Sequence, residues 1–173
     1  MSGSFRVHSV FAAVLAAALL LFVAVTWLPG PSPVDGTGWA ALTVIGAVVL
    51  VPAALVVRLR LNDVEAELWP AFRELHRPLR RALVALLLTA AAALVLSVVH
   101  GDLLYQEPEA DAGRYYASKV SGDRGRIEVT KAGYEAVVEN EQRVLLSLAG
   151  CVAAFGACAT FTAREMFRVD RRS

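Results

Sequence analysis

The sequence predicts an all-α membrane protein: a four-transmembrane-helix bundle with both termini in the cytoplasm and a small extracytoplasmic cap. Three observations lead to this prediction. The 173 residues are 57% apolar, with a mean hydropathy of +0.53, whereas soluble domains are usually about 45–50% apolar. The excess is concentrated in long apolar runs, and the basic residues are segregated among the segments that join those runs. The cap is expected to combine a β-hairpin with an extension of the last helix, between spans 3 and 4.

The first span is predicted at 9–28. This stretch carries no charge and is long enough to cross about 30 Å of hydrocarbon. A signal peptide is the alternative, because Arg6 and His8 precede the run. The run is longer than the usual signal core of about 7–15 residues, and prolines follow it in place of a small-residue cleavage site. We therefore expect a retained span, with Trp27 at the membrane interface.

The other spans are predicted at 39–57, 82–99 and 143–163. Pro52 should kink the second span, because proline removes a backbone donor and clashes with the preceding turn. The fourth span contains a small-xxx-small pattern beginning at Gly150, which permits close helix packing. We expect this packing to lie within the bundle; a homodimer seam is the alternative.

The spans contain no Asp, Glu, Lys, Arg or His between their boundary residues. Ionisable residues inside a membrane are costly and mark proton relays and ion pathways. Their absence from the sequence of the spans disfavours a proton-coupled transporter or a charged-substrate pore in the monomer.

Basic residues are distributed unevenly among the connecting segments. The N-terminus at 1–8, the linker at 58–81 and the tail at 164–173 hold eleven of the seventeen Lys and Arg residues, whereas the first short loop at 29–38 holds none. The positive-inside rule places the basic segments in the cytoplasm. The longer loop at 100–142 is then exterior.

The exterior loop is expected to fold. An acidic, irregular stretch at 106–111 precedes two β-compatible runs at 114–120 and 126–130, which flank a Gly/Asp turn and predict a hairpin. Thr130 is a suitable cap for one continuous helix from about 131 to about 168. The first turns of that helix should extend beyond the bilayer and support the hairpin. The side chains expected in this cap are Tyr115, Tyr116, Tyr134, Val137 and Val138.

The two adjacent tyrosines, Tyr115 and Tyr116, permit different interpretations. We expect them to form the core of the cap or to anchor it at the membrane interface. Stacking against a ligand is the alternative.

The linker at 58–81 has apolar residues at helical spacing, and Pro70 should bend the helix. Trp69 and Phe72 on the apolar side, with several arginines, favour a basic amphipathic helix on the cytoplasmic membrane surface. Its terminal basic cluster could contact anionic lipid. The alternative is a plain connector whose arginines only set the topology.

Catalytic and metal-binding motifs are absent from the sequence: it has no phosphate-binding glycine loop, nucleophile elbow or HExxH helix. His100 and Asp102 could form half of a metal site, but we favour a membrane-edge turn there. Cys151 and Cys158 lie about 10 Å apart along a helix, too far for a disulfide, and are expected to pack. We therefore predict no catalytic, cofactor-binding or metal-binding residues and no cofactor.

The expected function is that of a non-enzymatic interaction or regulatory subunit. Its partners would be the lipid bilayer and a protein that contacts the exterior loop at 101–142 or the linker at 58–81. An oligomeric channel or carrier for a small neutral solute is the alternative, and a membrane enzyme using exterior-loop residues is a more distant one. A net charge of +1 gives no indication of nucleic-acid binding, and homo-oligomerisation is left open.

The residue usage resembles that of proteins from GC-rich bacterial genomes, and the stretch from the paired tyrosines through 127–130 into the last span is similar in style to bacterial membrane proteins. Fifteen arginines accompany two lysines, and alanine and valine dominate the apolar runs. The expected location is therefore a bacterial plasma membrane, which the chain would cross several times.

Overall fold

The computed structural model describes residues 2–28, 68–101, 105–119 and 125–169. The predicted span at 39–57, the loop before it, the first part of the linker and the tip of the hairpin lie outside these ranges. Within them the chain forms four helices and three strands. These are α1 (Ser2–Thr26), α2 (Leu68–Glu74), α3 (Arg77–His100), β1 (Tyr105–Asp111), β2 (Arg114–Lys119), β3 (Arg126–Val129) and α4 (Lys131–Val169).

Three of the described helices, α1, α3 and α4, are long and apolar enough to cross a membrane. They contain the apolar runs predicted as the third and fourth spans and all but the last two residues of the first, because α1 ends at Thr26. Large apolar side chains remain exposed on them; Phe11 is 61% exposed and Phe155 is 64% exposed. Extended apolar surface of this kind is unusual on a soluble monomer, so the described helices are compatible with a membrane-embedded protein.

Helix α4 runs without interruption from Lys131 to Val169, which confirms the predicted continuous helix. Its 39 residues correspond to a length of roughly 58 Å. The segment contains no proline, so its backbone hydrogen bonding can continue throughout. Helices α1, α2 and α3 and strands β1 and β2 all contact α4.

Small residues bring α1 and α4 close together. On α4, a Cβ added at Gly150 would lie 3.2 Å from Cδ2 of Leu20 in α1. The small-xxx-small pattern therefore lies against α1, as expected for packing within the bundle. The buried residues of the surrounding cluster are Ala16, Leu19, Val23, Ala90, Leu146, Ala149, Ala153 and Ala154.

Helix α3 presents a narrow stripe to the bundle. Leu83, Ala90 and Ser97 are its buried residues, and their seven-residue spacing is typical of a helix packed along one seam. Ser97 Oγ lies 3.1 Å from Ser147 Oγ of α4. Cys158 is buried in a second cluster with Leu83, and both cysteines of the chain are free. They act as packing residues, as expected.

The end of the linker turns sharply before α3. Residues of α2, including Pro70, are helical, whereas Leu75 and His76 are not. The predicted bend at Pro70 depends on residues before Leu68, outside the described ranges. The break that the structure shows has another cause: a helix continuing through Pro78 would bring the proline ring against the carbonyl of Glu74. Pro78 instead occupies the first turn of α3, which proline tolerates.

Apolar side chains of the linker turn towards the bundle. Leu75 is 4% exposed, and Phe72 packs beside it against a cluster that contains Ala12, Leu83 and Ala157. The described end of the linker is thus attached to α1, α3 and α4 through its own apolar residues.

The sheet has the order β1-β2-β3 with antiparallel neighbours. The pairing of β2 with β3 confirms the predicted hairpin. The prediction of an irregular stretch at 106–111 is wrong, because these residues belong to β1. Ala112 and Gly113 both have positive φ, 49° and 81°, as a two-residue type I′ turn requires. Pro108 is accommodated because the β1–β2 register shifts between Gln106 and Glu109, where a bulge relieves the ladder.

Candidate interaction surface

Helix α4 begins directly after the sheet, and its first turns pack against β1 and β2. The Gly133 amide donates to Thr130 Oγ1 at 3.1 Å, which confirms the predicted N-cap. One turn further, the ring of Tyr134 lies 5.1 Å from that of Tyr115, centroid to centroid. Val137 is buried. The first turns of α4 therefore support the sheet, as the sequence predicts.

A second attachment joins α4 to the far strand β1. The backbone N–H of Glu107 donates to Glu141 Oε1 at 2.7 Å. Glu107 has a φ of 53°, which is uncommon outside glycine and lies within the bulge. The carboxylate on α4 thus accepts a hydrogen bond from the one part of β1 that departs from regular pairing.

Strand alternation places the neighbouring Tyr115 and Tyr116 on opposite faces of the sheet. Tyr115 contacts Tyr134, and Ala117, two residues on, is 1% exposed, so this face of β2 is turned towards α4. Neighbouring side chains of a strand point to opposite faces. Tyr115 therefore belongs to the core of the cap, one of the two roles expected for the pair, whereas Tyr116 lies on the face turned away from α4 and outside that core.

The face turned away from α4 has an arginine and a tyrosine at its centre. The guanidinium carbon of Arg126 lies 3.8 Å from the centroid of the Tyr116 ring. Arg126 Nε also lies 3.4 Å from Glu109 Oε2. Glu109 and Glu128 are the register partners of Tyr116 on either side. We call this surface the Tyr116 face; it comprises Gln106, Glu109, Tyr116, Ser118, Arg126 and Glu128.

The ion pair on this face is accessible to water. The side chains of Arg126 and Glu109 are 45% and 59% exposed, and exposed pairs of this kind contribute about 0–1 kcal/mol to stability. The stacking of Arg126 on Tyr116 adds a comparable amount, about 0.5–1 kcal/mol. The ion pair and the stacking order the Arg126 and Tyr116 side chains but hold them together only weakly. Both side chains can therefore contact another molecule.

Beneath the sheet, Arg143 joins α4 to the end of α1. Its Nη2 donates to the Thr26 carbonyl at 2.7 Å and its Nε donates to the same oxygen at 3.2 Å. Carbonyls in the last turn of a helix have no partner within that helix, so Arg143 supplies one. Nη2 also donates to Glu139 at 2.8 Å, and the guanidinium lies 4.9 Å from the Trp27 ring centroid.

The end of α3 meets the same junction. The His100 ring contacts Trp27 edge-on at 5.8 Å, and His100 Nδ1 lies 3.2 Å from the Leu96 carbonyl oxygen. Gly101 lies so close to the Asn140 amide that a Cβ would overlap it. Helix α3 ends here, and the remainder of the expected membrane-edge turn begins at Asp102, outside the described residues.

The alternative metal site at His100 depends partly on Asp102, which lies outside the described residues. Among the residues that the structure describes, no group of three or more His, Cys, Asp and Glu side chains could hold a metal ion.

The sequence alone does not predict the roles of Arg143 and Gly101 at this junction. The sequence shows Arg143 only as the first residue of a span, although the Glu139–Arg143 spacing is that of a helical ion pair. Its bond to Thr26 joins residues 117 positions apart, and the contact of Gly101 with Asn140 is likewise distant in the chain. No local pattern signals either contact.

Comparison of the chain with protein-family models, curated proteins and solved structures finds no match.

Replacing Gly101 with alanine should lower the stability of the junction. The new methyl group would overlap Asn140, which is 9% exposed and lies on α4. Overpacking of this kind costs about 1–3 kcal/mol. Thermal unfolding of the detergent-solubilised protein, followed by circular dichroism, measures the change. Gly125→Ala is the control, since a Cβ there meets nothing within 4 Å; equal midpoints for the two variants would contradict the assignment.

Arg143→Gln should also destabilise the protein, by about 1.5–3 kcal/mol, because hydrogen bonds made by a charged group are lost. Arg143→Lys should fall between this variant and the wild type, since lysine keeps the charge but lacks the guanidinium fork. The same unfolding measurement applies. Arg114→Gln, at an exposed position beside the β-turn, should change the midpoint little; if it matches Arg143→Gln, the junction is not the cause.

Proposed function

We propose that this chain is a multi-pass protein of the bacterial plasma membrane. In this proposal it acts as a non-enzymatic interaction or regulatory subunit, and its Tyr116 face is the exterior contact surface for a protein partner. The observation that carries the proposal is the stacked Arg126–Tyr116 pair, ordered on a sheet that is attached to α4 at two places.

The composition of the Tyr116 face supports a protein partner. Tyrosine and arginine are enriched at binding hot spots, where they act near the centre of a contact with polar residues around them. Here Tyr116 and Arg126 are central, and Glu109 and Glu128 flank them. Because the sheet is held by α4, little conformational freedom would be lost on binding, and that loss is a principal cost of association.

The size of the face indicates how the partner would bind. Three strands spaced about 4.8 Å apart give a surface on the order of a few hundred Å², below the roughly 800 Å² per partner of a stable complex. We therefore expect the partner to contact the exposed apolar helix surfaces as well, around Phe155 for example. Such a partner would itself be a membrane protein.

The position of charge along α3 supports the proposed orientation. The helix starts with Arg77, Arg80 and Arg81 and ends at His100, and the following Gly101 contacts α4, whose first turns support the sheet. The arginines therefore lie at the opposite end of α3 from the Tyr116 face. With these arginines in the cytoplasm, as the positive-inside rule favours, the sheet is exterior and both termini are cytoplasmic.

The oligomeric channel or carrier stays a prediction. The small-residue face of the fourth span is one of the sequence features that favour it. Gly150 of that face lies against α1 of the same chain, so this position packs within the monomer.

Cysteine labelling should establish the orientation. In a variant with Cys151 and Cys158 replaced by alanine, Glu135→Cys, on the first turns of α4 and outside the Tyr116 face, should react with a membrane-impermeant maleimide in intact cells. Arg77→Cys, at the start of α3, should react only after permeabilisation. Both native residues are exposed, so each cysteine is accessible to the reagent. The reverse labelling pattern would show that the proposed orientation is wrong.

Substitution of Tyr116 should release the partner. Affinity purification from gently solubilised membranes should recover a stoichiometric protein with the wild type. Tyr116→Ala should reduce that recovery by roughly thirtyfold, as expected for a hot spot of about 2 kcal/mol. Lys131→Ala is the control, since Lys131 is an exposed cap residue outside the Tyr116 face. Repeated recovery of the bare wild-type protein, or equal recovery with both variants, would count against the proposal.

A further inference from the structure

A groove lies beside the break between α2 and α3, and its two ends differ in chemistry. Its volume is about 520 Å³. Arginines line one end, and apolar residues of α3 line the other. The lining residues are Phe72, Arg73, Arg80, Arg81, Val84, Ala85 and Leu88.

The basic end of the groove is ordered by the chain itself. Arg80 Nη1 donates to the Arg73 carbonyl at 2.7 Å, which fixes the guanidinium beside the end of α2. A guanidinium has five N–H donors, so this bond uses only part of its capacity. Residues 68–88 contain four arginines and one glutamate, a net charge of +3.

The backbone adds to this positive potential. Arg80 and Arg81 lie in and next to the first turn of α3, which contains no acidic residue. The N-terminal end of a helix carries a partial positive charge, and its arginines here reinforce it. This end of the groove therefore favours an anion, and the planar guanidinium groups suit phosphate oxygens.

The apolar end continues along the same face of α3. Val84, Ala85 and Leu88 follow Arg80 and Arg81 at helical spacing, and Leu88 lies about 12 Å along the axis from Arg80. Val84 is 38% exposed and Leu88 is 66% exposed. This strip leads from the charged end into the apolar body of the helix, the direction that an acyl chain takes from its headgroup.

We propose that this groove binds one anionic phospholipid. The phosphate lies against Arg80 and Arg81, and an acyl chain lies along Val84 and Leu88. Charge complementarity selects an anionic headgroup, and the apolar strip selects a lipid over free phosphate. The proposal rests on the membrane insertion proposed above, but it does not depend on the orientation or on a partner at the Tyr116 face.

Native mass spectrometry of the full chain, purified in mild detergent, tests the proposal. The probes are a phosphatidylglycerol and a phosphatidylcholine with the same acyl chains, each titrated separately, and inorganic phosphate as a competitor. The variants are Arg81→Gln, which lines the groove, and Arg77→Gln, an exposed arginine one turn earlier that does not. Both remove one charge from the same part of α3. Leu88→Ala is paired with Leu96→Ala, an exposed leucine two turns further on.

We expect tighter retention of phosphatidylglycerol than of phosphatidylcholine. Arg81→Gln should weaken phosphatidylglycerol binding roughly fivefold, the effect of one basic residue near an anionic headgroup, and Arg77→Gln should weaken it less. Leu88→Ala should weaken binding of both lipids relative to Leu96→Ala. Equal affinity for the two lipids, or equal losses in Arg81→Gln and Arg77→Gln, would overturn the proposal. Displacement by millimolar inorganic phosphate would assign the basic end to free phosphate and also overturn it.

These outcomes are separate from those of the labelling and purification experiments. A solubilised chain that retains phosphatidylglycerol but recovers no partner would sink the Tyr116-face proposal alone.

Discussion

Helix α4 keeps its backbone hydrogen bonding from Lys131 to Val169, and five other elements of the described chain contact it. Because α4 is continuous, it sets the relative positions of the five elements that contact it. The first turns carry the sheet, the next turns meet the ends of α1 and α3, and the remainder packs against the bodies of those helices. A proline or an αL residue within the helix would change the relative positions of these three groups of contacts. Each group is placed by its rotation around the helix axis and its distance along that axis.

The nature of the contacts changes along α4. In the bundle, alanine and glycine allow the backbones to approach, and a buried Ser97–Ser147 pair is the kind of polar contact found between helices. At the junction below the sheet, the Arg143 guanidinium lies over the Trp27 ring and the Asn140 amide lies against Gly101. This succession fits a passage from hydrocarbon to an interfacial zone, where aromatic and long polar side chains are favoured.

Local patterns predicted the features that depend on local physics. The extent of α4 follows from a stretch that contains no proline, and the β2–β3 hairpin follows from alternation around a turn. Strand β1 was missed because Pro108 and its acidic neighbours resemble a loop, while the bulge that accommodates them depends on pairing with β2. Strand alternation alone predicts that Tyr115 and Tyr116 lie on opposite faces of the sheet. No such local pattern predicts the roles of Arg143 and Gly101, since their partners are distant in sequence.

The length of α4 has a mechanical consequence. A helix of roughly 58 Å without a hinge behaves as a stiff rod, and the sheet is fastened to one of its ends. If the rod tilts by about 5° about its midpoint, each end moves by roughly 2.5 Å, in opposite directions. A rigid-body tilt of α4 would therefore move the sheet and the opposite end of the helix by equal amounts, in opposite directions.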